Sequence, residues 1–215
     1  MISPVEIEFA VDLTKDSNYK SSFYLLQIKP LIGNAQDYEI NLEEIDKSNV
    51  LLFSEKCMGN GPINDIYDVI VVSKETFDKS KTEEIASEIE KFNKEMAILD
   101  RKYLLIGPGR WGTRDRWIGI PVNWPQISYA KVIVETSLED FPLDASSGSH
   151  FFHNVTSMNV GYLSVQSEIS NSFIKWEVFD SQPLVKESKY VKHYRFENPL
   201  TIKMDGKKRI AVILF

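Results

Sequence analysis

The stretch from Ile66 to Ile106 constrains the fold most. Ile85, Ile89, Phe92 and Met96 recur at helical spacing and form one apolar stripe. Ser80 and Glu83 have capping-box spacing, which predicts where that helix begins. Before it, Ile66 to Val72 is rich in β-branched residues and reads as a strand. After it, Tyr103-Leu104-Leu105-Ile106 reads as another. Strand, helix, strand is a βαβ unit, whose two strands lie parallel with a right-handed crossover.

The other predicted elements are strands. Val5 to Asp12 alternates with period two: Val5, Ile7, Phe9 and Val11 share one face, and Glu6, Glu8 and Asp12 the other. Phe23 to Ile28 follows a polar loop and is stopped by Pro30, which makes the pair an antiparallel hairpin with a long connection. Val50 to Ser54, Lys131 to Glu135, Tyr162 to Val165 and Phe173 to Phe179 are further strands, and Gly59-Asn60-Gly61-Pro62 is a turn. Leu200 to Met204 and Ile210 to Phe215 flank Asp205-Gly206, a dipeptide that favours a two-residue type I′ hairpin. The predicted class is α/β, with α+β as the alternative: a mixed β-sheet with one βαβ unit plus antiparallel hairpins. Gly33 to Asn49 is polar and acidic. The expected division is a lobe over 1–33, a linker over 34–49 and a mixed α/β domain over 50–215.

Composition narrows the function classes. The chain has 215 residues, 43% hydrophobic and 26% charged, enough to bury a core. No apolar run reaches the ~18 residues of a membrane span. Cys57 is the only cysteine, so no internal disulfide can form and a reducing, cytoplasmic setting is expected. The net charge of −6 argues against bulk nucleic-acid binding. Val185 to Arg209 runs the other way, with eight Lys/Arg against three Asp/Glu. Such lysines guard edge strands or meet an acidic partner.

Three constellations carry chemistry. On the opening hairpin, Glu6 and Glu8 share the polar face of one strand, and Gln27 and Lys29 share one face of the next. Their oxygens suit Mg²⁺ and the lysine suits a phosphate, while a solvated sheet face is the plainer alternative. The second is Gly107-Pro108-Gly109-Arg110-Trp111-Gly112-Thr113-Arg114-Asp115-Arg116, directly after a buried-looking strand. Gly107, Gly109 and Gly112 permit close approach of a ligand, and Arg110, Arg114 and Arg116 offer planar forks for phosphate or carboxylate. It is an anion site at the carboxyl end of a strand, or a structural loop whose arginines pair with nearby acids. Trp117 and Trp124 are expected to pack that loop against the core. The third is Gly148-Ser149-His150, where a histidine near neutral pKa is a capable nucleophile toward phosphorus.

These segments resemble phosphoenolpyruvate synthase and pyruvate phosphate dikinase. Val5 to Asp12, followed by Tyr24-Leu25-Leu26-Gln27-Ile28-Lys29-Pro30, is similar to the strands that close their ATP-grasp nucleotide domain, an "IEFA" strand and then "QxRP". The resemblance implies that Glu8 binds the Mg²⁺ of ATP and that Gln27 helps hold metal and phosphate. Lys29 stands where the family has an arginine, keeping the charge but losing the bidentate fork. Ser146 to Asn154 resembles the family's phosphohistidine motif, roughly "GGxTSHAA", which makes His150 the phosphocarrier and the second domain a swivelling phosphohistidine-like one. Phe151 and Phe152 replace two small residues of that motif. More broadly, residues 50–165 look like the C-terminal region of phosphoenolpyruvate synthase-like proteins.

The implied activity is an ATP-dependent phosphotransferase, a kinase acting on pyruvate through a phosphohistidine. A phosphoenolpyruvate-binding barrel alone takes ~250 residues. The chain is therefore expected to be part of a longer polypeptide and inactive alone. The competing expectations are a non-catalytic domain that binds a phosphorylated or carboxylated metabolite, and an assembly module of a larger enzyme. Homo-oligomerisation is left open. No nucleic-acid or membrane partner is expected.

Overall fold

The computed structural model describes residues 5–15, 20–30, 38–113, 115–138, 141, 143 and 158–215. The chain divides into two units, Met1–Gln36 and Asp37–Phe215.

The first unit is an antiparallel hairpin of β1 (Val5–Asp12) and β2 (Ser22–Pro30). Its strand period places Ile7, Phe9 and Val11 beside Ile28, Leu25 and Phe23 on one face. A bulge after Glu8 makes this work: Glu8 pairs Gln27 but Phe9 pairs Leu25, so Leu26 is the extra residue. Phe9 and Phe23 stack with ring centroids 5.1 Å apart, yet all six of these apolar side chains are exposed.

The second unit is a mixed α/β fold. Its strands are β3 (Val50–Ser54), β4 (Lys56–Met58), β5 (Gly61–Val72), β6 (Tyr103–Pro108), β7 (Arg110–Trp111), β8 (Gly119–Ile120), β9 (Ala130–Thr136), β10 (Gly161–Val165), β11 (Phe173–Ile174), β12 (Leu184–Glu187), β13 (Val191–Asp205) and β14 (Ile210–Leu214). The long helix α1 (Thr82–Ile98) lies between β5 and β6. Ten strands form one sheet in the order β11-β3-β14-β13-β5-β6-β9-β10-β4, with β12 along β13. Within it β5, β6, β9 and β10 are parallel, and every other pairing is antiparallel. β5-α1-β6 is the expected βαβ unit.

Strand order also curls the sheet. β3 and β4 are separated only by Glu55, yet they lie near opposite ends of the order. Their junction brings the two ends together: fully buried Ser54 donates from Oγ to the Ser164 carbonyl of β10 at 2.8 Å. Two cores result. Ile85, Ile89, Phe92 and Met96 of α1 pack on Ile70, Leu105 and Ile133. Leu52, Val69, Leu104, Val134, Leu163 and Ile202 fill the opposite face.

Four local expectations are corrected. Ser80 is not the cap of α1: Asp78 caps a 3₁₀ turn over Lys79–Lys81, accepting the Ser80 N–H at 2.8 Å and the Ser80 hydroxyl at 2.7 Å. The aspartate competes for the hydroxyl, and Lys81 at the helix start gives no side-chain cap. Phe173–Phe179 is a strand only at Phe173–Ile174; a 3₁₀ helix, Trp176–Ser181, follows and buries Val178 and Phe179. The last hairpin pairs Asp205 with Ile210, so its loop is the four residues 206–209 and not Asp205-Gly206. There Asp205 is wholly buried and accepts N–H groups from Ile40 and Lys208, a role a turn-tip residue does not fill. Finally, part of the predicted linker is folded: Asn41 and Asp46 cap two short 3₁₀ turns, and Ile40 is buried with Val50 and Val212.

Candidate functional site

Parallel strands end together, so the carboxyl ends of β6 and β9 place their loops side by side. The backbone leaving β6 folds straight back. Gly107 makes room, since a Cβ there would lie 2.5 Å from the Trp111 ring. Gly109 has φ +70, where a side chain is strained, and a Cβ would strike the Phe141 ring at 2.2 Å. Trp111 is thereby turned inward, its indole N–H donating to the Val134 carbonyl at 3.0 Å.

Beneath this loop lies a carboxyl. Glu135 ends the apolar run of β9 and is 5% exposed. Its Oε1 accepts the Trp111 backbone N–H at 2.9 Å, and it shares a hydrogen bond with the Tyr162 side chain of β10. Burial pushes the Glu135 pKa up to about 7, although the Tyr162 and Trp111 hydrogen bonds and the Arg110 charge pull the other way. Burial, with Glu135 beside it, also raises the Tyr162 hydroxyl. Arg110 is half-buried, close enough for its charge to act on both groups. A carboxyl that changes protonation near neutrality thus faces a permanent cation and a phenol. Such a group can exchange a proton and so change the charge beside the arginine.

The glycine-rich loop works differently from an amide cradle. Gly109 N–H donates to Thr136 O at 2.9 Å, Arg110 N–H to Ile118 O at 3.1 Å and Gly112 N–H to Ile120 O at 3.0 Å. With Trp111 bound to Glu135, four successive amides are spent within the protein. An anion here would meet the Arg110 side chain.

Arg116 does not join Arg110. Its guanidinium lies 5.0 Å from the Trp117 ring centroid and 3.6 Å from Glu83 in the first turn of α1, and its carbonyl accepts from Thr82 Oγ1. Trp117 is exposed rather than packed on the core; Trp124 is half-buried against it. Arg114 and His150 lie outside the described residues. On the hairpin, Glu8 is opposite Gln27 and both are exposed, and Lys29 is in register with Glu6.

Sequence reasoning missed Glu135 and Tyr162. The available signal was a carboxylate closing Val132-Ile133-Val134 at the end of a buried parallel strand, where an acid has no place without partners. It also missed a second buried set. Asp68 of β5 accepts from Arg195 at 2.7 Å and bonds His193 Nε2 at 2.8 Å, both on β13. His193 and Arg195 are two apart and share a strand face.

The chain matches no family model, and neither a curated protein nor a solved structure matches it.

Proposed function

We propose that the Asp37–Phe215 unit is a binding domain for a small phosphorylated or carboxylated metabolite, with Arg110 as its charged contact. The observation that carries this reading is the Arg110 charge acting on a buried carboxyl whose pKa burial pushes up to about 7. Below that pH Glu135 is neutral and sets no negative charge against a ligand anion beside Arg110. Above it the ionised Glu135 offsets the Arg110 charge that an anionic ligand would meet. Titration calorimetry with sulfate and with pyruvate tests this, since neither probe changes charge between pH 6 and 8. Affinity is expected to fall as pH rises through 7 and to drop about tenfold in Arg110→Ala. Unchanged affinity for both anions in that variant overturns the reading.

A second reading has its own support. Mg²⁺ is commonly held by one or two protein oxygens, with substrate phosphates and water supplying the rest. Glu8 and Gln27, opposite each other across the hairpin, fit that requirement. Among the described residues no larger group of His, Cys, Asp and Glu gathers for a metal. On this reading the chain is part of an ATP-dependent phosphotransferase, with Glu8, Gln27 and Lys29 toward Mg·ATP and His150 as phosphocarrier. Label transferred from ATP to the protein would be lost in His150→Ala. Equal retention in both proteins would sink it.

A further inference from the structure

A cleft lies on the sheet face opposite α1, at the carboxyl end of β5, with a volume of about 240 Å³. It is independent of Arg110 and Glu135. One wall is aromatic: Trp176 and Phe179 have ring centroids 6.0 Å apart, and Phe179 and Tyr194 5.1 Å apart. These rings come together because the 3₁₀ helix Trp176–Ser181 packs over the end of β13. Val71 completes the apolar lining.

The charges around this wall are unequal. Lys74 and Lys192 both act on Glu75, whose carboxyl is held below its usual range first by the Ser73 hydroxyl at 2.6 Å. Those two cations are therefore answered by one acid within the cleft. On the other side stand Glu177 and Asp180, both exposed. Among the described residues neither makes an ion pair or a side-chain hydrogen bond. Burial raises the Tyr194 hydroxyl, and the nearby carboxylates Glu75, Asp180 and Glu187 raise it further. Most telling is Lys74: its ammonium already sits over the Trp176 ring, 4.2 Å from the centroid. The indole face is thus open to an ammonium and attracts one, as a ring quadrupole does.

We infer that this cleft binds a small organic cation, an amine with an apolar body, which lies against Trp176, Phe179 and Tyr194 with its charge toward Asp180 and Glu177. Lys74 is the internal competitor for the Trp176 face. A ligand ammonium displaces it, and the lysine swings into solvent at little cost because it is exposed.

Titration calorimetry on the full chain with phenethylammonium tests the inference, with phenylacetate as the anion carrying the same ring. Phenethylammonium is expected to bind saturably and phenylacetate not. The double variant Glu177→Gln/Asp180→Asn, both exposed positions, should weaken the amine about tenfold with an unchanged melting curve. Lys74→Met should tighten it about threefold, because the competitor is gone. No binding of the amine at about 10 mM, equal binding of the two probes, or wild-type affinity in the double variant would each overturn the inference.

Discussion

At the scale of single residues, two of the buried acids, Glu135 and Asp68, have opposite linkage to pH. Glu135 is pushed up to about 7 from an ordinary 4.5, so the folded state holds a proton that the unfolded chain releases. Its contribution is full below the unfolded value and is lost as pH rises from about 4.5 through 7. Glu135→Gln keeps an oxygen for the Trp111 amide and never ionises. It should flatten that part of the stability curve and raise stability at pH 8 by on the order of 2–3 kcal/mol, read from urea midpoints. A variant as pH-sensitive as the parent would show that Glu135 is not the titrating group. Asp68 is the reverse case. Burial alone would raise it, but the His193 bond and the Arg195 charge together hold it below its usual value. Its contribution is present above the unfolded value and is lost as pH falls through the folded one. Asp68→Asn leaves Arg195 and His193 facing an amide and should cost about 3 kcal/mol at pH 7. The loss should shrink in acid, where the wild type has itself surrendered the pair. A constant difference from pH 7 to pH 3 would contradict that assignment.

At the scale of elements, the entry into α1 separates what periodicity shows from what it cannot. The stripe Ile85, Ile89, Phe92, Met96 was legible because burial repeats every three or four residues, and all four are buried. The cap was not, because Asp78 and Ser80 both have the chemistry and only the backbone path decides. Asp78→Ala should cost about 1 kcal/mol in thermal unfolding and Ser80→Ala clearly less. The opposite order would restore the capping box. The same limit applies to Phe173–Phe179, where apolar content fits a strand or a packed 3₁₀ turn. It applies again at Glu135 and Tyr162: each was visible on its own strand, but their meeting depends on β9 and β10 being parallel neighbours. The Gly107–Gly112 run was legible as a glycine-rich loop after a buried strand. Its purpose, seating Trp111 over Glu135, depended on a contact 24 residues away in the chain.

At the scale of the whole molecule, the Asp37–Phe215 unit is held by closure as much as by its cores. Consecutive strands normally neighbour one another, so β3 and β4, one residue apart at nearly opposite ends of the order, oblige the sheet to bend round. Little in the sequence announces this, because Ser54-Glu55-Lys56 looks like any polar break. Ser54 is what the bend demands. It is fully buried, its Oγ lies 2.8 Å from Ser164 O and 2.9 Å from Lys56 O, and it accepts the Lys56 N–H at 3.1 Å. Cys57 beside it donates its backbone N–H to Arg209 O at 2.9 Å, tying the same corner to the last hairpin. Ser54→Ala removes one hydroxyl but leaves the part-buried Ser164 and Lys56 backbone groups without it, a loss worth about 1–3 kcal/mol. If closure is cooperative, protection of amides in Val50–Met58 and Tyr162–Val165 should fall together in hydrogen exchange, while β5 and β6 keep theirs. Loss confined to Lys56 would mean that the corner is a local turn and that the sheet holds its shape without it.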